Sequence, residues 1–337
     1  MDKTAIISVK NVGRIFRSVK KEPGIRGALQ LLLRPQYSEH VALKNVSFDI
    51  EPGTFTGLIG ANGAGKTTLL KILSGLIRPT TGNAIVLGKD PFKRELSFRR
   101  QISLVMGQKA QLWWDLPALD AFDLLQAIFE IPPEKYRERL NSLAELLDVK
   151  KHLQTQIRRL SLGERMKMEL IGALLHWPKV IFLDEPTIGL DVLAAHKLRS
   201  FLKVFNEKEK ATIILTSHNM DDIEKLCSRV LILRSGELIY DGKPQGLTTQ
   251  GECRLRVKLL ENPSLEDVAT KLSFPKEKLT FSDETVDATD EQKEIFLSVT
   301  QQQAAKVLEK IIQNYQIVNM GFEEQSLESV IQRIYQA

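Results

Sequence analysis

Short apolar runs bounded by glycine, proline or charge recur along the first 245 residues, and their spacing predicts alternating strands and helices. Ile6–Val12 and Val41–Ile50 read as strands, the second with Val46, Phe48 and Ile50 on one face. Thr54–Ile59 is an apolar run that leads directly into glycines. Lys66–Leu76 then shows helical spacing through Leu69, Leu70, Ile72, Leu73 and Leu76. Residues 120–150 predict helix broken at Pro132–Pro133, and Met166–Leu175 predicts a helix stopped by Trp177–Pro178. Val180–Leu183 and Thr212–Thr216 are short, apolar and β-branched, which fits buried parallel strands. Val230–Leu233 and Glu237–Tyr240, joined by Arg234-Ser235-Gly236, predict a hairpin.

The pattern changes near residue 250. Strands are expected at Arg254–Leu260, Lys278–Phe281, Glu294–Val299 and Gln316–Met320, with helices at Ser264–Leu272, Gln301–Asn314 and Ser326–Tyr335. Charge changes there too. Residues 251–337 hold 10 Lys and Arg against 15 Asp and Glu, while residues 1–250 hold 37 against 27. Two domains are therefore expected: an α/β domain over 1–248, and a small α+β accessory domain over 249–337. The first has a helical subdomain at about 108–178 and a basic insert at 17–40.

The 337 residues include 43% hydrophobic and 26% charged positions, the composition of an ordinary globular chain. No apolar run approaches the ~20 residues that cross a bilayer, and Met1–Lys10 lacks the apolar core of a signal peptide. The chain is therefore expected to stay in the cytosol, with any membrane role coming through a partner. Cys227 and Cys253 have no CxxC spacing, so zinc or disulfide chemistry is not expected and two buried thiols are.

Chemistry enters with Gly60-Ala61-Asn62-Gly63-Ala64-Gly65-Lys66-Thr67-Thr68, which matches GxxxxGK[ST] between a predicted strand and a predicted helix. Glycines let successive N–H groups curl toward phosphate oxygens, and the helix N-terminus adds its positive dipole. Lys66 is expected to neutralise the β and γ phosphates of a nucleoside triphosphate, and Thr67 to ligate Mg²⁺. Val180–Leu183 runs into Asp184 and Glu185 at the carboxyl end of a strand, where ligands gather in parallel sheets. Asp184 is placed to hold Mg²⁺, and Glu185 to polarise the attacking water.

Taken in order, these motifs resemble those of ABC transporter ATP-binding subunits, and the resemblance covers roughly residues 5–245. Gly60–Thr68 is similar to Walker A, and Asp184 with Glu185 to the end of Walker B. Gln108 lies 42 residues after Lys66 and resembles the Q-loop glutamine. Leu160-Ser161-Leu162-Gly163-Glu164 resembles the LSGGQ signature, Gly189-Leu190-Asp191 the D-loop and Thr216-Ser217-His218 the switch loop. Phe16 occupies the place of the aromatic that stacks on adenine. The resemblance implies a P-loop NTPase cassette with a RecA-like core and antiparallel β and α-helical subdomains. It implies a head-to-tail dimer in which Ser161 and Gly163 of one copy reach the γ-phosphate held by the other. Gln108 would join Thr67 and Asp184 at the metal, Gln108 and Asp191 would belong to the ATP site, and His218 would contact the γ-phosphate.

The chain departs from the family pattern at Leu162 and Glu164, which stand where the signature has Gly and Gln. Leu162 cannot take positive φ cheaply, so right-handed or extended backbone is expected there.

The stretch Gly107–Pro117 and the LSLGE signature are similar to bacterial ABC-2-type exporter ATPases. That implies separate permease subunits, and a Q-loop surface that receives their coupling helix. Trp113 and Trp114 suit either an anchor at that surface or the helical subdomain core. In the basic insert, Arg17, Lys20, Lys21, Arg26 and Arg34 flank Leu29, Leu31, Leu32 and Leu33, a pattern of a surface helix or of a segment lying on anionic lipid. The function expected is ATP hydrolysis energising export. The alternative, a non-transport ABC ATPase acting on nucleic acid or ribosomes, rests on the basic balance of residues 1–250 alone.

Overall fold

The computed structural model describes residues 5–19, 37–107, 110–247, 252–261, 263–281, 294–324 and 330–331. They divide into two compact units, Met1–Lys243 and Pro244–Ala337.

The first unit is α/β and holds two sheets. The smaller has order β2-β1-β4, with β1 at Ile7–Val19, β2 at Tyr37–Ile50 and β4 at Thr81–Val86. All of its pairings are antiparallel. The larger has order β5-β6-β7-β3-β8-β9. Its strands are β3 (Phe55–Gly60), β5 (Ile102–Met106), β6 (Val180–Asp184), β7 (Thr212–Thr216), β8 (Arg229–Arg234) and β9 (Glu237–Gly242). The first five are parallel and β9 closes the edge antiparallel to β8. Every residue of β3 and β7 is buried, as expected of parallel strands covered on both faces. One apolar core joins the sheets, with Val9, Val46 and Ile50 meeting Leu58, Leu70, Phe182 and Leu231.

Seven helices are described in this unit. Helix α1 (Lys66–Leu73) packs on β3 and β6, and α2 (Leu96–Arg99) on β5. The helical subdomain contains α3 (Ala118–Phe129), α4 (Pro133–Leu146) and α5 (Leu162–Leu174). Gly172 lets α5 approach closely, because a Cβ there would lie 3.0 Å from both Leu112 and Leu125 side chains. α6 (Val192–Glu209) and α7 (Met220–Leu226) follow β6 and β7.

The second unit has order β11-β12-β10-β13, all antiparallel, with β10 at Glu252–Leu259, β11 at Leu279–Phe281, β12 at Glu294–Thr300 and β13 at Ile317–Glu324. Burial alternates along β12, and the inward Ile295, Leu297 and Val299 pack with residues of α8 (Leu265–Leu272) and α9 (Gln301–Asn314). Thr300 and Gln303 cap α9 reciprocally.

Several elements differ from the sequence reading. Helix α5 begins at Leu162 rather than Met166, because Ser161 and Glu164 form a capping box there. Leu162 accordingly takes helical backbone. Helix α1 stops at Leu73, where Gly75 adopts φ 77° and ends the turn. Residues 17–19 and 37–40 of the basic insert extend β1 and β2, with Arg17 paired to Glu39 at 2.8 Å. The remainder of the insert, the leucine run included, lies outside the described residues, as do Gln108 and most of the expected helix at 326–335. Cys227 is buried; the side chain of Cys253 is outside the described set.

Candidate functional site

The parallel topology brings the ends of β3, β5, β6 and β7 to one rim. The phosphate loop leaves β3 at Gly60, where a Cβ would lie 2.7 Å from the Leu233 carbonyl oxygen, so only glycine fits. Asn62 and Gly63 are exposed at the loop's crest, and Gly63 at φ 82° has open space where a Cβ would stand. Ala64 is buried and its N–H closes the turn onto the Ala61 carbonyl at 3.0 Å. Gly65 caps α1 with φ 106°, a conformation costly for any side chain.

Lys66 opens α1 and is 6% exposed. Its ammonium donates to the Gly60 carbonyl at 2.6 Å and the Ala61 carbonyl at 3.2 Å, which holds the positive charge over the loop. Burial pulls the Lys66 pKa below its usual range, and the Glu185 and Asp184 carboxylates oppose that pull. Thr67 Oγ1 donates to Asp184 Oδ2 at 2.9 Å, and Thr216 Oγ1 donates to Asp184 Oδ1 at 2.7 Å. Thr68 is half-buried in the same turn.

Glu185 follows with φ 56°, a left-handed conformation uncommon for a non-glycine residue and frequent at functional sites. Its N–H donates to the Thr216 carbonyl and hydroxyl, at 3.1 and 3.0 Å. Its Oε1 lies 2.8 Å from His218 Nε2, with the Glu185 side chain 18% exposed and His218 48%. Gly107, at the end of β5, approaches so closely that a Cβ would sit 2.2 Å from the Glu185 carbonyl oxygen. Thr67, Asp184, Thr216, Glu185 and His218 thus form one hydrogen-bonded chain across the start of α1 and the ends of β6 and β7, with the Lys66 charge beside both carboxylates.

The residues suit ATP with Mg²⁺. A carboxylate and a hydroxyl face each other beside the loop, and these are the hard oxygen donors that Mg²⁺ takes alongside substrate phosphates. Among the described residues no group of three His, Cys, Asp or Glu could enclose a metal alone. A metal shared with phosphate is the arrangement this donor set fits.

Other expected site residues lie apart from this cluster. Ser161 caps α5: its hydroxyl donates to Glu164 Oε2 at 2.8 Å and accepts from the Glu164 N–H at 3.3 Å. His152 Nε2 contacts the other Glu164 oxygen at 2.8 Å. Bonds from the Ser161 backbone and hydroxyl hold the Glu164 carboxyl below its usual pKa range, with the nearby His152 and Lys151 adding to the effect. A Cβ at Gly163 would meet the Ala194 and Leu190 side chains at 3.6 and 3.8 Å, ordinary contact distances. Asp191 caps α6, accepting from the Ala194 N–H at 2.7 Å. Phe16 is half-buried in β1, with the Arg14 guanidinium 4.5 Å over its ring. Trp113 and Trp114 are 43% and 50% exposed, which excludes the core alternative for both. No helix among the described residues is long and apolar enough to cross a membrane.

Two groups escaped the sequence reading. Thr216, named in the sequence only as part of the switch-loop motif, bridges Asp184 and Glu185. Glu169 is buried on α5 and accepts from the Gln111 and Leu112 N–H groups at 3.0 and 3.2 Å, which anchors the segment after Gln108. Burial raises its pKa. An acid on the apolar face of a helix, between Met168 and Leu170, was the available signal.

The ABC transporter family profile matches residues 43–188. The ABC transporter ATP-binding protein NatA of Bacillus subtilis is 31% identical over 206 residues, 61% of this chain and 83% of that protein. The Nod factor export ATP-binding protein I of Cupriavidus metallidurans is 33% identical over 215 residues, 64% and 70% of the two chains. Among solved structures, a dimeric ATP-binding cassette in a post-hydrolysis state bound to ADP and Pi superposes with a TM-score of 0.59 at 25% identity. That match covers 70% of this chain and 98% of the other.

Proposed function

Because the chain belongs to the ATP-binding subunits of ABC transporters, a family of ATPase cassettes, we propose that it works as one of two facing copies that clasp ATP and drive export. The membrane partner of this reading is a separate permease of the ABC-2 type, and the subunit sits peripherally at the cytoplasmic face. The relatives' names support the direction of transport, one being an export ATP-binding protein.

One observation carries the reading: the hydroxyl, carboxylates, imidazole and ammonium of the rim converge at the carboxyl ends of parallel strands. In the proposed cycle the loop amides from Gly60, Asn62, Gly63, Ala64, Gly65, Thr67 and Thr68 cradle the phosphates, and Lys66 neutralises the β and γ charges. Thr67, Asp184 and Gln108 would hold Mg²⁺, which when bound offsets charge developing on the phosphates. Glu185 accepts a proton from water as the water oxygen attacks the γ-phosphorus, and ADP leaves with the bond electrons. His218, already bonded to Glu185, orients that carboxylate and meets the γ-phosphate. Phe16 stacks on adenine.

Closure supplies the remaining contacts. Ser161 and Gly163 present a second helix N-terminus to the γ-phosphate bound by the other copy, and Asp191 lies at the seam. Apolar side chains beside them are exposed, with Val192 at 85%, Leu193 at 66% and Leu162 at 39%, which suits a surface covered in a complex. A cleft of about 390 Å³ lined by Gly107, Ala110, Trp114, Leu162 and Arg165 is the proposed seat of the permease. Trp113 is exposed nearby in sequence, and Arg165 stacks over Trp114 at 5.2 Å.

The test is steady-state ATP hydrolysis by the purified chain and its Glu185→Gln variant. Turnover should fall by about a hundredfold or more while ATP still binds. Hydrolysis by Glu185→Gln at the parent rate would remove Glu185 as the base.

A further inference from the structure

The cycle above leaves one fully buried charge without a task. Asp222 is 0% exposed, near the start of α7, and three side chains converge on it. Thr187 Oγ1 and Ser217 Oγ each donate to its Oδ2 at 2.6 Å. Arg199 Nη1 donates to its Oδ1 at 2.8 Å, and the Arg199 side chain is itself 7% exposed. The second Arg199 terminal nitrogen reaches Asp221 at 4.0 Å. A carboxylate taken this far from water needs such partners, since an unpaired buried charge is strongly destabilising.

The location of those partners gives the cluster its meaning. Thr187 stands two residues after Glu185, and Ser217 immediately precedes His218. Arg199 lies on α6, the helix capped by Asp191. One carboxylate therefore ties down the segment leaving β6, the loop leaving β7 and the helix that follows the D-loop. Two of the three tethers share a single oxygen atom, so the Thr187 and Ser217 hydroxyls cannot separate without breaking a charge-assisted bond. The Glu185–His218 contact at 2.8 Å spans the same two segments a few residues away. On the far side the backbone makes a parallel tie, from the Glu185 N–H to the Thr216 carbonyl. Ser217 also accepts from the Asn219 N–H at 3.0 Å, which fixes the loop on both sides of His218.

We propose that Asp222, clamped by Arg199, is a positioning residue for hydrolysis: it holds Glu185 and His218 in register through the Thr187 and Ser217 hydroxyls and links that register to α6. Asp222 touches none of the reacting atoms. Its effect falls on the rate of the chemical step, because misplacing a base by a fraction of an ångström costs turnover without removing any contact to the phosphates. The inference rests on the assignment of Glu185 and His218 made above.

Asp222→Asn is the direct variant, but it also strands Arg199 in the core and threatens the fold. Thr187→Val removes one tether at nearly constant shape and leaves the Asp222–Arg199 pair in place. In the full chain, kcat for ATP should fall about tenfold, the scale of one lost bond to a charged group, with KM and ATP-binding stoichiometry within about twofold of the parent. Thr187→Ser keeps the hydroxyl and should restore kcat, and Ser217→Ala should reproduce the loss. A purely stabilising cluster would lower the melting temperature of Thr187→Val and leave kcat per binding site intact. That result overturns the proposal, as does a Thr187→Ser enzyme no better than Thr187→Val. Glu185→Gln run alongside separates the two levels. A dead Glu185→Gln beside a fully active Thr187→Val sinks the positioning role alone, whereas a fully active Glu185→Gln sinks the site assignment beneath it.

Discussion

The two units are both sheets packed with helices, yet they treat polar groups in opposite ways. In the first, Lys66, Glu169, Arg199, Thr216, Ser217 and Asp222 are all buried, and most lie at or near the carboxyl rim of a parallel sheet. In the second, Leu255, Val257, Ile295, Leu297 and Val299 meet Val268, Leu272, Val307 and Ile311, and among the described residues the one polar side-chain group in that core is the Tyr315 hydroxyl, which donates to Asp267. Burying polar and charged groups costs free energy unless each finds partners. A region that carries this burden in a connected network is arranged for chemistry, and one that avoids it is arranged for packing.

The contrast can be broken most directly at Lys66. Lys66→Ala removes the ammonium held by Gly60 and Ala61, and ATP turnover should fall by about a hundredfold or more, measured by phosphate release. An unchanged rate would mean that the polar rim is not where ATP is processed. The second unit should respond in the opposite sense. Leu297 is 1% exposed in its core, so Leu297→Ala should destabilise that unit by about 2–5 kcal/mol in chemical denaturation. ATP turnover of the folded full chain should stay near the parent value. Loss of turnover without loss of folding would show the second unit to be part of the catalytic machinery.

A smaller effect sharpens the same contrast by acidification. His176 stacks on Phe129 at 4.0 Å, its Nε2 lies 2.9 Å from the Ile102 carbonyl oxygen, and burial lowers its pKa to about 4. A base with a depressed pKa favours the fold only while neutral. Its contribution is therefore complete above the unfolded value near 6.5 and is lost as pH falls toward 4. Over that window the first unit should lose about 1–2 kcal/mol that His176→Phe retains, read by denaturant midpoints at pH 7 and pH 4.5. Equal acid sensitivity in both chains would remove His176 as the cause.

Sequence made the phosphate loop legible because its chemistry is local. Gly60 to Thr68 must curl the backbone within nine positions, and Gly60 and Gly65 stand where a side chain would clash or be strained. Asp184 and Glu185 were legible for a related reason, since an apolar strand that ends in acids points to a sheet rim. The start of α5 was misplaced because periodicity begins at Met166, although Ser161 and Glu164 already spelled a capping box. The Asp222 network was not legible at all. Thr187, Arg199, Ser217 and Asp222 come from separate elements, and only the register of β6 beside β7 makes them neighbours. Local motifs announce ligands, whereas the groups that hold those motifs in place emerge from tertiary structure.

The account depends on two copies enclosing ATP between the phosphate loop of one and the α5 N-terminus of the other. Sedimentation of the Glu185→Gln chain with Mg-ATP measures this most directly. The prediction is a monomer without nucleotide, a dimer with it, and a return to monomer when Ser161→Arg is added. A Glu185→Gln chain that stays monomeric at saturating Mg-ATP, or one that dimerises equally well with Ser161→Arg, would contradict it.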